Sequence, residues 1–176
     1  MIIGLSGYAR SGKDTVAGML MGIHGYERVA FADKIRELLF AMDPLIMHEG
    51  KDFRLQDIVQ SKGWEDAKTQ HPEVRRLLQD LGVGGRELLD DNVWINAALN
   101  AFHQDDKVVV TDVRFKNEAA RIKNLGGQIW RINRINVGPA NDHISEIDLD
   151  DWGFDGIITN NSDMPNLIKQ IRALLG

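Results

Sequence analysis

A short apolar run that leads directly into a glycine-rich turn opens this chain. Residues 2–5 read Ile-Ile-Gly-Leu, which is typical of a buried parallel strand. Residues 7–14, Gly-Tyr-Ala-Arg-Ser-Gly-Lys-Asp, match the pattern G-x-x-x-x-G-K-[ST] at every position except the last. Its glycines let backbone N–H groups approach an anion, and the helix predicted to begin near Lys13 points its positive end there. The chain is therefore predicted to carry a phosphate-binding loop at the end of a parallel strand.

The loop also predicts how a nucleotide and a metal ion are held. Lys13 is expected to reach the β- and γ-phosphates. The final position of the pattern usually supplies a hydroxyl group to Mg²⁺, but here it is Asp14, followed by Thr15. Either Asp14 binds the metal, directly or through water, or that task falls to Thr15. The candidate nucleotide-binding residues are Gly7, Arg10, Ser11, Gly12, Lys13, Asp14 and Thr15.

Composition limits the class of protein. With 176 residues the chain is predicted to form one domain over residues 1–176. The net charge of −5 disfavours non-specific binding to nucleic acid polymers. Cysteine is absent, which excludes disulfides and thiolate metal sites, and no apolar run approaches the ~20 residues of a membrane helix. The absence of cysteine suits a cytosolic protein, and no membrane contact is expected.

Strand-like and helix-like segments alternate along the chain. This order predicts an α/β fold with a five-stranded parallel sheet and right-handed crossovers. Residues 45–72 show little periodicity and contain Gly50, Gly63 and Pro72, so a less regular insertion of mobile or functional character is predicted there. Strands are predicted at residues 2–5, 28–31, 107–113, 128–133 and 156–159, and helices from residue 13 and at 33–42, 73–81, 86–102, 117–125 and 165–175.

Ligands of such sheets lie beyond the carboxyl ends of the strands, and Asp112 and Arg114 follow the most apolar strand. Asp112 is at the position from which a carboxylate holds Mg²⁺; its alternatives are a helix cap or a partner for Arg114. The planar fork of Arg114 suits phosphate, and its alternative is an ion pair with Glu118. Phosphoryl transfer needs positive charge around the moving group, which also makes candidates of Arg10, Arg86, Arg131 and Arg134. Asp33 is expected either to orient an acceptor or to cap the helix that follows.

Several motifs occur together in a fixed order. They are RSGKDT at 10–15, FADKIR at 31–36, LGVGGR at 81–86, DNVWINAAL at 91–99, TDVRFKNEA at 111–119, GGQIWRINR at 126–134 and HISE at 143–146. With these motifs the chain resembles the deoxynucleoside monophosphate kinases of bacteriophages and their bacterial relatives. In that family Asp regularly stands where Asp14 stands here.

The resemblance implies a P-loop NTPase fold of the nucleoside-monophosphate-kinase type, with three α/β/α layers, and ATP-dependent phosphorylation of a deoxynucleoside 5′-monophosphate with Mg²⁺. It also implies a cytoplasmic protein of a bacterium or a phage-infected cell, with ATP and the monophosphate as small-molecule partners. Residues 45–72 would then be an acceptor-binding or lid insertion. The catalytic set it implies is Lys13, Arg10, Asp112, Arg114, Arg131 and Arg134, with Asp14, Thr15 and Asp112 as metal ligands. The acceptor set it implies is Asp33, Lys34, Arg36, Arg86, Trp94, Glu118, His143 and Glu146.

Alternatives remain at this stage. Trp94 suits a core position as well as an acceptor site. The same fold also serves kinases for dephospho-coenzyme A or phosphomevalonate. A nucleotide-binding module that transfers no phosphate is the alternative from another class, although the chain lacks the base-reading N-K-x-D motif of GTPase switches. A homodimer is compatible with all of these.

Overall fold

The computed structural model describes residues 1–103, 105–139 and 147–176. These residues form two compact units. The first contains Met1–Ala30 and Leu99–Gly176, and the second contains Phe31–Ala98. His143 and Glu146, which the sequence places in the acceptor set, lie outside the described residues.

The first unit is built on a five-stranded sheet. Its strands lie in the order β2-β5-β1-β6-β7, and every neighbouring pair is parallel, as the sequence predicts. The strands are β1 (Ile2–Ser6), β2 (Glu27–Val29), β5 (Val108–Val110), β6 (Gln128–Asn133) and β7 (Gly156–Thr159). Because β1 has a strand on each side, all five of its residues are buried, and its end is fixed at the middle of the sheet.

Helices cover both faces of this sheet, so the unit has the predicted three-layer α/β/α arrangement. On one face Leu5 of β1 packs in a buried cluster with Leu20 of α1 (Lys13–His24) and Leu167 of α7 (Met164–Leu175). On the other face α6 (Lys116–Asn124) lies so close that a Cβ on Gly4 would come within 2.8 Å of the Ile122 side chain. Gly4 therefore allows α6 to pack directly on the central strand.

The second unit is helical with a small hairpin. It contains α2 (Phe31–Met42), α3 (Leu55–Gln70), α4 (Pro72–Leu88) and most of α5 (Val93–Leu99), together with the antiparallel pair β3 (Leu45–His48) and β4 (Lys51–Arg54). Its core is a buried cluster that joins α2, the hairpin, α3 and α4; the fully or nearly buried members are Leu39, Ile46, Leu55, Ile58, Ala67 and Val74.

Two sequence predictions in this unit were wrong. Residues 45–72 are regular, because Ile46 and Leu55 are fully buried and anchor a hairpin and a helix whose periodicity is weak. Gly63 does interrupt α3, with a φ of 76° that kinks the helix. The helix predicted to end before Gly82 instead continues to Leu88 through three glycines. Packing compensates for their low helix propensity, since Gly85 lies against Trp94 so closely that a Cβ there would be 2.6 Å from the indole ring.

One buried histidine links the hairpin to the junction of α3 and α4. His71 is 5% exposed, and neither of its ring nitrogens has a hydrogen-bond partner within the described part of the chain. Its ring meets that of His48 edge-on, with 4.5 Å between the centroids. Burial lowers the pKa of His71, and the positive charges of His48 and Lys62 lower it further. The folded protein therefore favours the neutral imidazole at this position.

This histidine predicts a loss of stability in acid. Because the folded pKa of His71 lies below the unfolded value of ~6.5, the unfolded chain binds more protons once the pH falls below that value. The free energy of unfolding should therefore fall as the pH drops from ~6.5 toward the folded pKa. Urea denaturation between about pH 5 and 7.5 measures this slope. We expect His71→Leu to reduce the slope of the free energy of unfolding against pH. His103→Gln, at an exposed position, is the control and should leave that slope unchanged. Equal slopes in wild type and His71→Leu would exclude His71 as the cause.

Candidate active site

The loop after β1 has the backbone that its glycines predict. Gly7 has a φ of 148° and Gly12 a φ of 104°, both in the region that disfavours side chains. A Cβ on Gly7 would lie 2.5 Å from the carbonyl oxygen of Ile132 in β6. Arg10, at the tip, also has a positive φ of 66°. The chain therefore turns back tightly from β1 and enters α1 with its first N–H groups directed at the loop.

The ends of the neighbouring strands hold this loop in place. Asn160, which follows β7, donates through Nδ2 to the carbonyl oxygen of Ser11 at 2.9 Å. Its own backbone N–H donates to Asn133 at the end of β6 at 2.8 Å. Arg134 donates to the carbonyl oxygen of Arg10 at 3.4 Å. Two strand ends thus support the loop on which a phosphate would bind.

Lys13 turns its side chain back over the loop. Its ammonium group donates to the carbonyl oxygens of Gly7 at 2.6 Å and Tyr8 at 2.9 Å. These acceptors keep the charge at the mouth of the loop, where phosphate oxygens would compete for its donors. The contact of Lys13 with the β- and γ-phosphates stays a prediction.

The oxygen donors near the loop suit a metal ion that is held largely by phosphate and water. Asp14 and Thr15 are exposed in the first turn of α1, and Asp112 is half-buried just beyond β5. Within the described ranges, no group of three or more His, Cys, Asp or Glu side chains is arranged to hold a metal. Mg²⁺ characteristically uses only one or two protein carboxylates together with phosphates and waters. The donor set therefore fits Mg²⁺ that arrives with a nucleotide and does not fit a dedicated protein cage.

A small cavity brings three predicted residues together. Gly7 of the loop, Arg114 and Arg131 line it, with Ser6, Ala9, Val113 and Leu149. Its volume is about 10 Å³, which holds little more than a water molecule. A phosphate group would therefore need the arginine side chains or the loop to move.

Arg131, one of the residues that line this cavity, is only 8% exposed. Its Nη2 donates to Asp150 at 2.7 Å and its Nη1 to the Ser6 hydroxyl at 3.3 Å. The guanidinium carbon lies 4.5 Å from the centre of the Tyr8 ring, within cation–π range. The Tyr8 hydroxyl donates to the same carboxylate at 2.8 Å. Burial raises the pKa of Tyr8, and the hydrogen bond to Asp150 adds to this rise, so the phenol remains a donor.

Glu118 acts on the backbone that follows β5. Its carboxylate accepts hydrogen bonds from the N–H groups of Arg114 at 2.7 Å and Phe115 at 3.0 Å. This is the N-terminal capping arrangement of a helix that begins at Lys116. Glu118 therefore shapes the turn that presents Arg114, and its contact with an acceptor stays a prediction.

In the second unit, residues of α2 and α3 line a larger, open cavity of about 370 Å³. Asp33 and Arg36 line it, as the sequence predicts for an acceptor site, and Glu37, Phe40 and Trp64 complete the lining. Asp33 lies in the first turn of α2, which begins two residues earlier than predicted, so it is not the residue that caps the helix. Instead it accepts a hydrogen bond from Arg36 at 2.9 Å. Charged groups and aromatic rings thus share one cavity.

The remaining predicted acceptor residues of this unit have other environments. Lys34 pairs with Glu37 at 2.7 Å. Arg86 is in the last turn of α4, not at a helix start, so a helix dipole does not assist it there in binding an anion. Trp94 is 8% exposed and donates to the Gly82 carbonyl oxygen at 2.9 Å, which gives it the core position that the sequence left open.

Sequence reasoning missed several of these residues. Tyr8 and Asp150 are 142 residues apart, and no local pattern relates them. Phe40 and Trp64 belong to α2 and α3, where a single aromatic residue is ordinary for a core. Asn160 follows the strand predicted at residues 156–159, and its hydrogen bond to the loop spans 149 residues. Only the spacing of Phe40 from Asp33 and Arg36, on one face of α2, was available as a signal.

The chain is similar in sequence to one family of known proteins. The model of the deoxynucleotide monophosphate kinase family matches residues 42–171. A protein of Acanthamoeba polyphaga mimivirus named "Putative deoxynucleotide monophosphate kinase" is 27% identical over 186 residues, which cover 97% of this chain and 94% of that protein. The family match begins at residue 42 and does not include the loop at residues 7–15. The loop is therefore separate evidence for phosphate binding.

The chain is also similar to solved structures, with lower sequence identity. Shikimate kinase from Aquifex aeolicus has 14% identity and a TM-score of 0.45, covering 99% of this chain and 96% of that one. Dephospho-CoA kinase from Campylobacter jejuni has 16% identity and a TM-score of 0.43, covering 99% and 94%. The strand order and the loop, rather than these superpositions, define the fold. Within the described residues, no helix combines the length and the apolar character that crossing a membrane requires.

Gly12 provides a test of the loop geometry. A Cβ at this position would lie 2.1 Å from Asn160 Nδ2 and would need a φ of 104°, so Gly12→Ala must displace the amide that supports Ser11. We expect it to lower the free energy of unfolding by about 1–3 kcal/mol, measured by urea denaturation. Gly18→Ala is the matched control, because a Cβ on Gly18 in α1 would have no atom within 4 Å. That change should stabilise by about 0.5–1 kcal/mol. Equal stability of the two variants would contradict this account of the loop.

Proposed function

The chain belongs to the deoxynucleotide monophosphate kinase family, and we propose that this kinase uses ATP to phosphorylate a deoxynucleoside 5′-monophosphate, giving the diphosphate and ADP. The observation that carries the proposal is the family match over residues 42–171, together with a lysine-bearing phosphate loop that precedes it. The finer choice of a deoxynucleoside monophosphate is also supported by the viral relative with that activity in its name.

The loop residues are proposed to bind the donor. Gly7, Ser11 and Gly12 would allow backbone N–H groups to surround the phosphates, and Lys13 would exchange its carbonyl acceptors for phosphate oxygens. An acceptor phosphate oxygen attacks the γ-phosphorus of ATP, and the bond from that phosphorus to the bridging oxygen of ADP breaks. No general base is needed, because a monophosphate has lost most of its second proton above pH ~6. Positive charge for the transferring group is proposed to come from Lys13, Arg10, Arg114, Arg131 and Arg134.

Asp14, Thr15 and Asp112 are proposed to hold Mg²⁺ when a nucleotide is bound. The ion would neutralise charge on the phosphate oxygens. The exposure of Asp14 and Thr15 in the first turn of α1 leaves their oxygens accessible to it. Asp112, half-buried beyond β5, is the third candidate and would act directly or through water.

The cavity of the second unit is proposed to bind the acceptor nucleoside. Phe40 and Trp64 provide two aromatic rings, with their centroids 6.5 Å apart, against which a base can stack. Asp33 and Glu37 can accept hydrogen bonds from a base or sugar, and Arg36 can donate. The volume of about 370 Å³ is sufficient for a nucleoside-sized ligand.

A kinase for dephospho-coenzyme A or phosphomevalonate would share the loop, but it would not account for the family match over residues 42–171. A module that binds a nucleotide without transferring phosphate is less favoured for the same reason. Both alternatives predict that deoxynucleoside monophosphates fail to stimulate ADP formation.

The first test is ADP release from Mg·ATP in the presence of each of the four deoxynucleoside monophosphates. We expect release that depends on the acceptor for at least one of them. Lys13→Ala should reduce the rate by about 100-fold or more, since it removes a charge from the transition state. ATP binding without turnover on any of the four would contradict the proposed acceptor and would favour another acceptor or a binding module.

The acceptor cavity can be tested separately. Phe40→Leu keeps an apolar residue but removes the ring, and we expect it to raise the KM for the acceptor by about fivefold or more. The KM for ATP should stay within about twofold, because the loop is untouched. Phe53→Leu, at an exposed position of β4, is the matched control and should change neither constant. An unchanged acceptor KM in Phe40→Leu would exclude stacking on this ring.

A further inference from the structure

Arg131 is the most enclosed arginine of the candidate site, and its orientation is set from several directions. Its side chain is only 9% exposed. One face of the guanidinium lies on the Tyr8 ring, and Phe154 lies 5.6 Å away. A buried arginine loses hydration and side-chain freedom, so its neighbours must fix it in one geometry.

Asp150 is the charged partner in this arrangement, and it uses both carboxylate oxygens. Oδ1 accepts from Arg131 Nη2 at 2.7 Å, and Oδ2 accepts from the Tyr8 hydroxyl at 2.8 Å. Tyr8 belongs to the phosphate loop, whereas Arg131 belongs to β6. A single carboxylate, 142 residues beyond Tyr8 in sequence, therefore connects the loop to the neighbouring strand β6.

Arg131 lines the cavity of the loop and also pairs with Asp150. Arg131 lines that cavity with Gly7 and Ala9, but the described lining does not include Asp150. The carboxylate therefore holds Nη2 from outside the cavity. Among the described residues, the partner of Nη1 is the Ser6 hydroxyl at 3.3 Å. A phosphate oxygen can replace this long bond, because a charge-assisted bond is stronger.

We propose that Asp150 is a positioning residue for donor binding: it fixes Arg131 and Tyr8 so that Arg131 presents its remaining donors to the phosphates of ATP in the loop. The proposal rests on the proposed function in that it assumes a nucleotide donor at residues 7–15. Asp150 itself does not contact the phosphates. It acts by limiting the orientations of Arg131 before the ligand arrives, which lowers the entropic cost of binding.

The test is the dissociation constant of Mg·ATP, measured by calorimetry on the full chain without an acceptor. Asp150→Asn keeps the shape and removes the charge, and we expect it to weaken binding by about tenfold. Asp151→Asn is the matched control, because Asp151 is the next residue, has a 73% exposed side chain and pairs with Lys116. That variant should bind within about twofold of wild type.

A double-mutant cycle distinguishes positioning from a general structural role. If Asp150 acts through Arg131, then Asp150→Asn should have almost no further effect on ATP affinity in an Arg131→Gln background. An equal loss in both backgrounds would overturn the proposal. Tighter ATP binding in Asp150→Asn would also overturn it, since Asp150 would then compete with phosphate for Arg131. An Asp150→Asn variant that binds Mg·ATP as tightly as wild type would also overturn the proposal.

Two further measurements keep these outcomes interpretable. Melting temperatures followed by circular dichroism establish that each variant is folded. If Asp150→Asn does not fold, Tyr8→Phe removes only the second hydrogen bond, and it should weaken Mg·ATP binding only when Arg131 is present. A wild-type chain that binds Mg·ATP but phosphorylates no deoxynucleoside monophosphate contradicts the proposed acceptor, and the binding series still decides the role of Asp150.

Discussion

The burial of β1 between two parallel neighbours is the constraint on which the rest of the first unit depends. All five residues of Ile2–Ser6 are buried, and β5 and β6 pair with them on either side. The strand therefore cannot shift along the sheet without breaking two hydrogen-bonded ladders and the core beneath them. Whatever follows Ser6 is held at the middle of the carboxyl edge, where a parallel α/β sheet binds its ligands.

The charges of this edge have internal partners. The ammonium of Lys13 rests on two carbonyl oxygens of its own loop, and the guanidinium of Arg131 rests on Asp150 and Tyr8. Such contacts keep cations in place that would otherwise repel one another, and they are individually weak enough to be exchanged for phosphate. Cations held in this way suit the binding of an anion, and the cavity that Arg131 lines beside the loop has a volume of about 10 Å³.

In the second unit, tertiary packing determines the helices and the hairpin more than the local propensities of their residues do. Helix α4 continues through three glycines. Gly85 leaves space for the Trp94 ring, and the Gly82 carbonyl oxygen accepts a hydrogen bond from the indole N–H. The hairpin at residues 45–54 has little alternation of its own, yet Ile46 is completely buried. This packing brings Phe40 and Trp64 into the same cavity as Asp33 and Arg36.

The sequence alone determined the strand–loop–helix unit at residues 2–15, the parallel α/β fold and the kinase family, because these depend on local patterns and on motifs in a fixed order. It also placed the ends of β6 and β7 correctly. Only the tertiary structure decided that α4 passes through its glycines, that Trp94 is a core residue, and that Tyr8, Arg131 and Asp150 meet. Those outcomes depend on contacts between residues distant in sequence, whose free energy no local propensity contains.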